Sequence, residues 1–131
     1  MSDDDFFELW DRACGFDPPA LRTHPGDEAL HVALVFHGSV MNGGLLNAVQ
    51  TYPDDEEYPL PRVRQAYDYL GLHEITRAID QAQRESVELD DAGLGDAEAR
   101  IDATYTLDDD ALMRVARDCI DRSPDAFAPL S

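Results

Sequence analysis

Basic side chains are scarce in this sequence, and lysine is absent altogether. The 131 residues include 28 Asp and Glu but only 10 basic residues, all of them arginine, which gives a formal net charge of -18 at pH 7. Binding to nucleic acid requires cationic side chains that displace the counterions of the phosphates, and an anionic lipid surface repels a chain of the same sign. The composition therefore argues against direct contact with nucleic acid or with membranes.

Cysteines and long apolar runs are also few. Cys14 and Cys119 are too few for a disulfide scaffold, and both occupy apolar positions of helical patterns, so we expect both thiols to be reduced and buried. The first residues, MSDDDFFELW, lack the basic and apolar regions of a signal peptide, and no apolar run approaches the roughly 18 residues of a membrane span. These absences predict a cytoplasmic protein.

The rest of the composition indicates one globular domain over residues 1–131. Hydrophobic residues make up 44% of the chain, which is ample for one core at this length but leaves no room for a second. Apolar residues recur at steps of three and four, and no segment keeps the alternation of a strand. We therefore predict an all-α bundle of about six helices. The predicted helices are 5–14, 27–41, 45–52, 62–70, 73–89 and 108–122, together with a short amphipathic segment at 96–105.

Glycine and proline mark the connections between these helices. Residues 16–26, 53–61 and 90–95 are predicted loops, because they are rich in residues that interrupt helices. Gly71 follows the helix 62–70 at the position of a left-handed cap. The triplet Asn42, Gly43 and Gly44 interrupts another helical pattern, and we interpret it as a structural junction with close backbone approach rather than as a ligand site.

Three stretches together carry a resemblance to a known family. They are MNGGLLNAVQTY (41–52), QAYDYLGLHEITRAIDQA (65–82) and IDATYTLDDDALMRVARDCIDRSPDAFA (101–128). An Asn-Gly-Gly junction followed by a helix, a loop and a helix ending in Leu-Gly resembles the small acidic bacterial DNA mimic proteins, a helical family long catalogued as a domain of unknown function. The resemblance covers residues 30–127, with Leu45 and Asn47 standing where the family usually has an aromatic residue and a glutamine.

The resemblance implies a helical homodimer that binds the DNA-binding surface of a basic protein such as a transcription regulator. Its surface carboxylates would imitate the phosphates of duplex DNA, which carries about one charge per 1.7 Å of axis. Asp108 has a competing structural role, because an acid at a helix start accepts hydrogen bonds from free N–H groups. The candidate contact residues are Asp54, Asp55, Glu56, Glu57, Asp80, Glu88, Asp90, Asp91, Asp108, Asp109 and Asp110.

The residues themselves leave other interpretations of the acidity open. An acidic surface also serves solubility or salt tolerance, so the chain is alternatively a general protein-interaction or immunity-type helical module that binds through an apolar groove. An unrecognised small hydrolase is least favoured, because no nucleophile motif or phosphate-binding loop is present, and we predict a non-enzyme without a cofactor. His31 and His37 are six residues apart and do not share a helix face, which argues against a zinc site.

Overall fold

A computed structural model of the chain describes residues 2–15, 23–51 and 58–130. Over these ranges it contains seven α-helices and no β-strand, which confirms the all-α fold, with one helix more than the sequence suggested. None of the helices in these ranges is long and apolar enough to span a lipid bilayer. The helices are α1 (Asp3–Cys14), α2 (Pro25–Gly43), α3 (Leu45–Thr51), α4 (Leu60–Tyr69), α5 (His73–Glu88), α6 (Asp91–Ala103) and α7 (Asp109–Arg122), and a 3₁₀ helix (Pro124–Ala126) follows.

Helix α2 forms the centre of the fold, because its apolar residues lie on almost every side. It packs against α1, α3, α4 and α7, and Leu30, Ala33 and Phe36 are almost completely buried. The short helix α3 packs against α2, α5 and α6, and it buries Leu45 and Val49. The core is therefore one cluster to which all seven described helices contribute.

The start of α2 corrects the loop predicted for residues 16–26. Pro25 and Gly26 lie in the first turn of the helix, where proline is tolerated because the first N–H groups have no partner within the helix. Gly26 lies against the C-terminal segment (residues 127–130): a Cβ atom on Gly26 would be 2.6 Å from Cε2 of Phe127. Residues 16–22 of the predicted loop lie outside the described ranges.

A buried ion pair joins the start of α2 to α1 and to the C-terminal segment. The carboxylate of Asp27 is 1% exposed, and its Oδ1 atom accepts hydrogen bonds from Arg12 Nε at 3.1 Å and Nη2 at 2.7 Å. Its Oδ2 atom accepts the N–H of Ala128 at 2.7 Å, and Arg12 Nη2 also donates to the Ala128 carbonyl at 2.9 Å. Both carboxylate oxygens are thereby paired, which offsets the cost of removing the charge from water.

The predicted break at residues 90–95 is wrong for most of that stretch, which belongs to α6. Asp90 is the N-cap of this helix, and its Oδ1 atom accepts the N–H of Gly93 at 2.7 Å. Such a cap contributes about 1 kcal/mol, which offsets the cost of one glycine inside a helix. The cap compensates for only one of Gly93 and Gly95, and the packing of α6 on α3 and α5 stabilises the helix against the cost of the other.

Helix α4 also differs at its start from the sequence prediction and agrees with it at its end. It begins at Leu60, inside the predicted loop 53–61, of which residues 53–57 lie outside the described ranges. At its end, Gly71 has φ 81° and the N–H of Leu72 donates to the carbonyl of Tyr67 at 2.9 Å. This left-handed cap confirms the role predicted for Gly71.

Asn42 and Gly43 are the last residues of α2, and Gly44 is the single residue between α2 and α3. Gly44 has φ 89° and ψ 165°, a combination that only glycine adopts without strain. Asp102 of α6 packs directly against this turn: its Oδ1 atom accepts the N–H of Leu46 at 3.0 Å, and a Cβ atom on Gly44 would collide with the same carboxylate. Asp102 therefore accepts a hydrogen bond from a free N–H at the start of α3. Its carboxylate can approach this closely because Gly44 has no side chain.

The two cysteines differ in their surroundings. Cys119 is buried in the core as predicted, whereas Cys14 is exposed, which corrects the expectation for that residue. Cys14 is the last residue of α1 and lies at the edge of the buried stripe of that helix. Partial burial of the sulfur atoms raises the pKa of both thiols, so neither is a ready nucleophile at neutral pH.

We expect Asp27→Ala to lower the free energy of unfolding by about 3 kcal/mol, because it leaves the Arg12 guanidinium without its buried counter-charge. Glu28→Ala is the matched control, since Glu28 pairs with Arg62 at 3.2 Å while both side chains stay partly exposed. That variant should lose less than about 1 kcal/mol. Urea unfolding followed by circular dichroism measures both, and equal losses would contradict a structural role specific to Asp27.

Gly44→Ala should destabilise the protein by about 2 kcal/mol, because the backbone conformation is strained for alanine and the new methyl group displaces Asp102. Gly38→Ala in the exposed part of α2 is the control, since a Cβ atom there meets nothing within 4 Å. It should stabilise the protein by roughly 0.5 to 1 kcal/mol, because alanine has less freedom in the unfolded chain. Thermal unfolding measures the change in stability of both variants. Stabilisation by both, or destabilisation by both, would contradict this prediction.

Candidate functional site

Acidic side chains are concentrated in residues 88–110, which run from the end of α5 through α6 to the first turn of α7. We call this stretch the acidic segment. Arg100 is its only basic residue, and Nη2 of Arg100 is already bound to Oε1 of Glu85 at 2.6 Å. The segment therefore contains no free cation that could neutralise it. Its exposed carboxylates are Glu88, Asp90, Asp91, Asp96, Glu98, Asp108, Asp109 and Asp110.

Two of these carboxylates are held in place by the backbone. Asp90 caps α6 and Asp108 caps α7, and each accepts one backbone N–H through its Oδ1 atom at 2.7 Å. The cap at Asp108 confirms the structural role that its position predicted. A carboxylate fixed in this way remains exposed and loses little further conformational entropy when a partner binds.

Helix α6 forms the middle of the acidic segment. Its 13 residues span about 20 Å at 1.5 Å of rise per residue. Three of the eight exposed carboxylates, Asp91, Asp96 and Glu98, lie on α6 itself, and the other five lie just before it or at the start of α7. The negative charge is therefore distributed along α6 and over the segments that flank it on both sides.

The remaining residues predicted from the sequence do not join this surface. Asp80 lies on α5, and its Oδ1 atom is 3.1 Å from Nε of Arg64, so an arginine of the same chain compensates its charge. Asn42 and Gly43 end α2 and Gly44 forms the turn at Asp102, so this triplet contributes backbone geometry. The predicted carboxylates outside the described ranges are Asp54, Asp55, Glu56 and Glu57.

Beneath Asp109, a chain of hydrogen bonds runs into the core. His37 Nε2 is 2.7 Å from Asp109 Oδ1, and His37 Nδ1 is 2.8 Å from the hydroxyl oxygen of Tyr105. The Tyr105 hydroxyl is 2.8 Å from that of Tyr67, which lies 3.3 Å from the carbonyl oxygen of Ala33. A carboxylate only accepts, so Nε2 of His37 carries a hydrogen and donates it to Asp109. In the neutral imidazole, Nδ1 then accepts from Tyr105.

The two tyrosines complete this chain without leaving a buried polar atom unpaired. Burial raises the pKa of both hydroxyl groups well above that of an exposed tyrosine, so both remain donors. Because Tyr105 donates its one hydrogen to His37, the Tyr67 hydroxyl is the donor in its contact with Tyr105 and shares its hydrogen with the carbonyl of Ala33. In the part of the chain that the structure describes, no buried side-chain nitrogen or oxygen lacks a hydrogen-bond partner. Asp109 is thus anchored to the core although its side chain is 76% exposed.

The second buried histidine also joins separate parts of the fold. His31 Nδ1 is 2.7 Å from the Ala13 carbonyl in the last turn of α1, and its Nε2 is 2.9 Å from the Tyr58 hydroxyl. Because a carbonyl only accepts, Nδ1 donates to it and satisfies a group that the end of α1 leaves free. Among the described residues, no group of three or more His, Cys, Asp or Glu is placed to hold a metal ion.

The sequence alone predicts no partner for Asp27, His31 or His37. A signal was nevertheless present, because ionisable side chains within a helix that is otherwise apolar need polar partners once they are buried. Those partners lie between 15 and 101 residues away along the chain. No local pattern identifies them, so only the folded structure shows which groups meet.

Comparisons with protein-family models, curated proteins and solved structures gave no match. The resemblance of residues 30–127 to the acidic DNA mimic proteins therefore stays a prediction.

Tyr105→Phe should lower the free energy of unfolding by about 2 kcal/mol, because it leaves Nδ1 of His37 buried without a donor. Tyr67→Phe is the matched control: it removes a hydroxyl from the same chain but leaves the bond between Tyr105 and His37 intact. We expect a loss of about 1 kcal/mol or less for that variant. Chemical unfolding of both variants tests which one loses more unfolding free energy. A larger loss for Tyr67→Phe would contradict the proposed direction of donation along the hydrogen bonds.

Proposed function

We propose that this protein binds a basic, DNA-binding protein through the acidic segment and competes with DNA for that protein's binding surface. The observation that carries the proposal is the display of exposed carboxylates along α6 and at both of its ends. Two of them are fixed as helix caps, and the segment's only arginine is held by Glu85. A basic groove would meet negative charge there without any need to displace a competing cation.

The physical basis of the proposal is long-range attraction followed by contact with a rigid surface. A net charge of -18 draws a basic partner from a distance and accelerates encounter. Carboxylates on capped helices keep their positions, so less entropy is lost on binding than with a flexible acidic tail. Both features suit a protein that has to displace duplex DNA from its partner.

The resemblance found in the sequence supports the same function and adds details to it. It implies a transcription regulator as the basic partner and a homodimer as the active form. We include both in the proposal, together with a cytoplasmic location, where such regulators act in bacteria. Direct binding to nucleic acid is not part of it, because the negative surface repels phosphates.

A groove with an apolar floor, lined by α1, α7 and the C-terminal segment, favours a second candidate function. In that case the chain is a general protein-interaction module, and its acidity serves solubility or salt tolerance. The two candidates differ in their dependence on salt. Contacts between exposed charges weaken as the screening length falls from about 10 Å at 0.1 M to about 3 Å at 1 M salt, whereas apolar contacts persist.

The test begins with the immobilised protein and a lysate of its source organism at about 0.05 M salt, where surface attraction is strong. We expect the retained proteins to include a DNA-binding protein that duplex DNA releases. Titration of the purified partner against the triple variant Glu88→Gln, Asp91→Asn, Asp110→Asn should show affinity weakened by about tenfold, because three charged contacts are lost.

The control for this test removes the same amount of charge elsewhere. Asp4→Asn, Glu74→Gln and Asp125→Asn change exposed residues outside the acidic segment, and this variant should bind within about twofold of the original protein. Equal weakening by both variants would show that only net charge matters. Failure to retain any DNA-binding protein, or a complex insensitive to salt, would overturn the proposal, and the latter result would favour the apolar groove.

A further inference from the structure

The groove between α1, the end of α7 and the C-terminal segment has a volume of about 630 Å³. That volume falls within the roughly 300 to 1,000 Å³ of typical ligand sites in proteins. The apolar residues that line it are Leu9, Ile120, Phe127 and Leu130, with two prolines beside them. This surface lies apart from the acidic segment, because none of residues 88–110 lines it.

The walls of the groove are fixed by contacts on the far side of the C-terminal segment. Ala128 is held through its N–H by Asp27 and through its carbonyl by Arg12. Phe127 packs on Gly26, where only a hydrogen atom leaves room for its ring. A third link joins the two helices, since Arg117 of α7 pairs with Asp3 of α1 at 2.6 Å. The groove is therefore preformed.

Among the residues that the structure describes, the charged side chains that line the groove are all acidic. Asp5 and Glu8, which lie one turn apart on α1, face the opening together with Asp121 at the end of α7. All three side chains are exposed, and no arginine is among the described residues that line the groove. The last turn of α7 adds the partial negative charge of its free carbonyl groups. An apolar floor is thus combined with an anionic rim.

We propose that this groove binds a short segment of a partner protein in which an arginine or lysine stands beside a large apolar side chain. The apolar side chain would pack on Leu130 and the two prolines, above the largely buried Leu9, Ile120 and Phe127, while the aliphatic stem of the cation lies along the wall and its charged end reaches the rim. Arginine fits best, because its planar guanidinium binds carboxylates with paired hydrogen bonds. A neutral apolar segment would leave the rim carboxylates desolvated without a counter-charge.

This inference does not depend on the proposed competition with DNA, and it adds charged contacts at the rim to the purely apolar, salt-insensitive binding considered above for the same groove. It requires Asp5, Glu8 and Asp121, none of which belongs to the acidic segment, and it requires an apolar surface that duplex DNA does not provide. Loss of one binding activity with retention of the other would therefore separate the two proposals.

The probe is a fluorescein-labelled six-residue peptide of alternating arginine and leucine, titrated with the intact protein at about 0.15 M salt and followed by fluorescence polarisation. We expect saturable binding, weakened about tenfold by Glu8→Gln with Asp121→Asn. Asp91→Asn with Glu98→Gln removes equal charge from α6 and should leave the affinity within about twofold. Leu130→Ala removes part of the floor and should weaken binding without removing charge.

Two further peptides separate the contributions of charge and apolar contact. Replacing each arginine by glutamine, or each leucine by serine, should abolish measurable binding. The proposal is overturned if no binding occurs, if the two charge variants weaken binding equally, or if the serine peptide binds as well as the leucine peptide. Thermal unfolding of each variant establishes that the protein remains folded, so that a loss of binding is assigned to the groove.

Discussion

The fold depends most on the contact of Asp27 with Arg12 and Ala128. One buried carboxylate, in the first turn of the central helix, binds a side chain from α1 through one oxygen and a backbone amide from the C-terminal segment through the other. Such a charge is tolerated away from water only when both oxygens are satisfied. The contact therefore fixes three parts of the chain at one point, and with them the floor and walls of the groove.

Several of the acidic side chains stabilise the helices in addition to carrying surface charge. Asp90 and Asp108 cap helix starts, Asp102 satisfies an N–H at the turn before α3, and Asp109 binds His37. Negative groups at these positions complement the partial positive charge of helix N-termini, which lessens the repulsion that a charge of -18 creates. The carboxylates offered to a partner are thus partly the same ones that order the local backbone.

Hydrophobic periodicity predicted the fold class and most helices, and glycine chemistry predicted the cap at Gly71, because these features depend on local sequence. The breaks predicted at Pro25, Gly26, Gly93 and Gly95 were wrong, since a cap or a favourable first-turn position outweighs the cost of one such residue. The acidic segment was only partly anticipated: six of its eight exposed carboxylates were named, but Asp96 and Glu98 were not. The partners of the buried histidines lie too far away in sequence for any local pattern to indicate them.

The C-terminal segment is attached to Asp27 and Arg12 through the main chain of Ala128, which determines the substitutions that this position tolerates. The methyl group takes no part in the hydrogen bonds to Asp27 and Arg12, so they place no direct demand on the type of side chain there. Proline is the exception, because it has no amide hydrogen to donate. Since residue 129 is itself a proline, deleting a single residue just upstream would bring an imide nitrogen opposite the carboxylate. At this position, a deletion that shifts the chain by one residue is therefore more harmful than a substitution of the side chain.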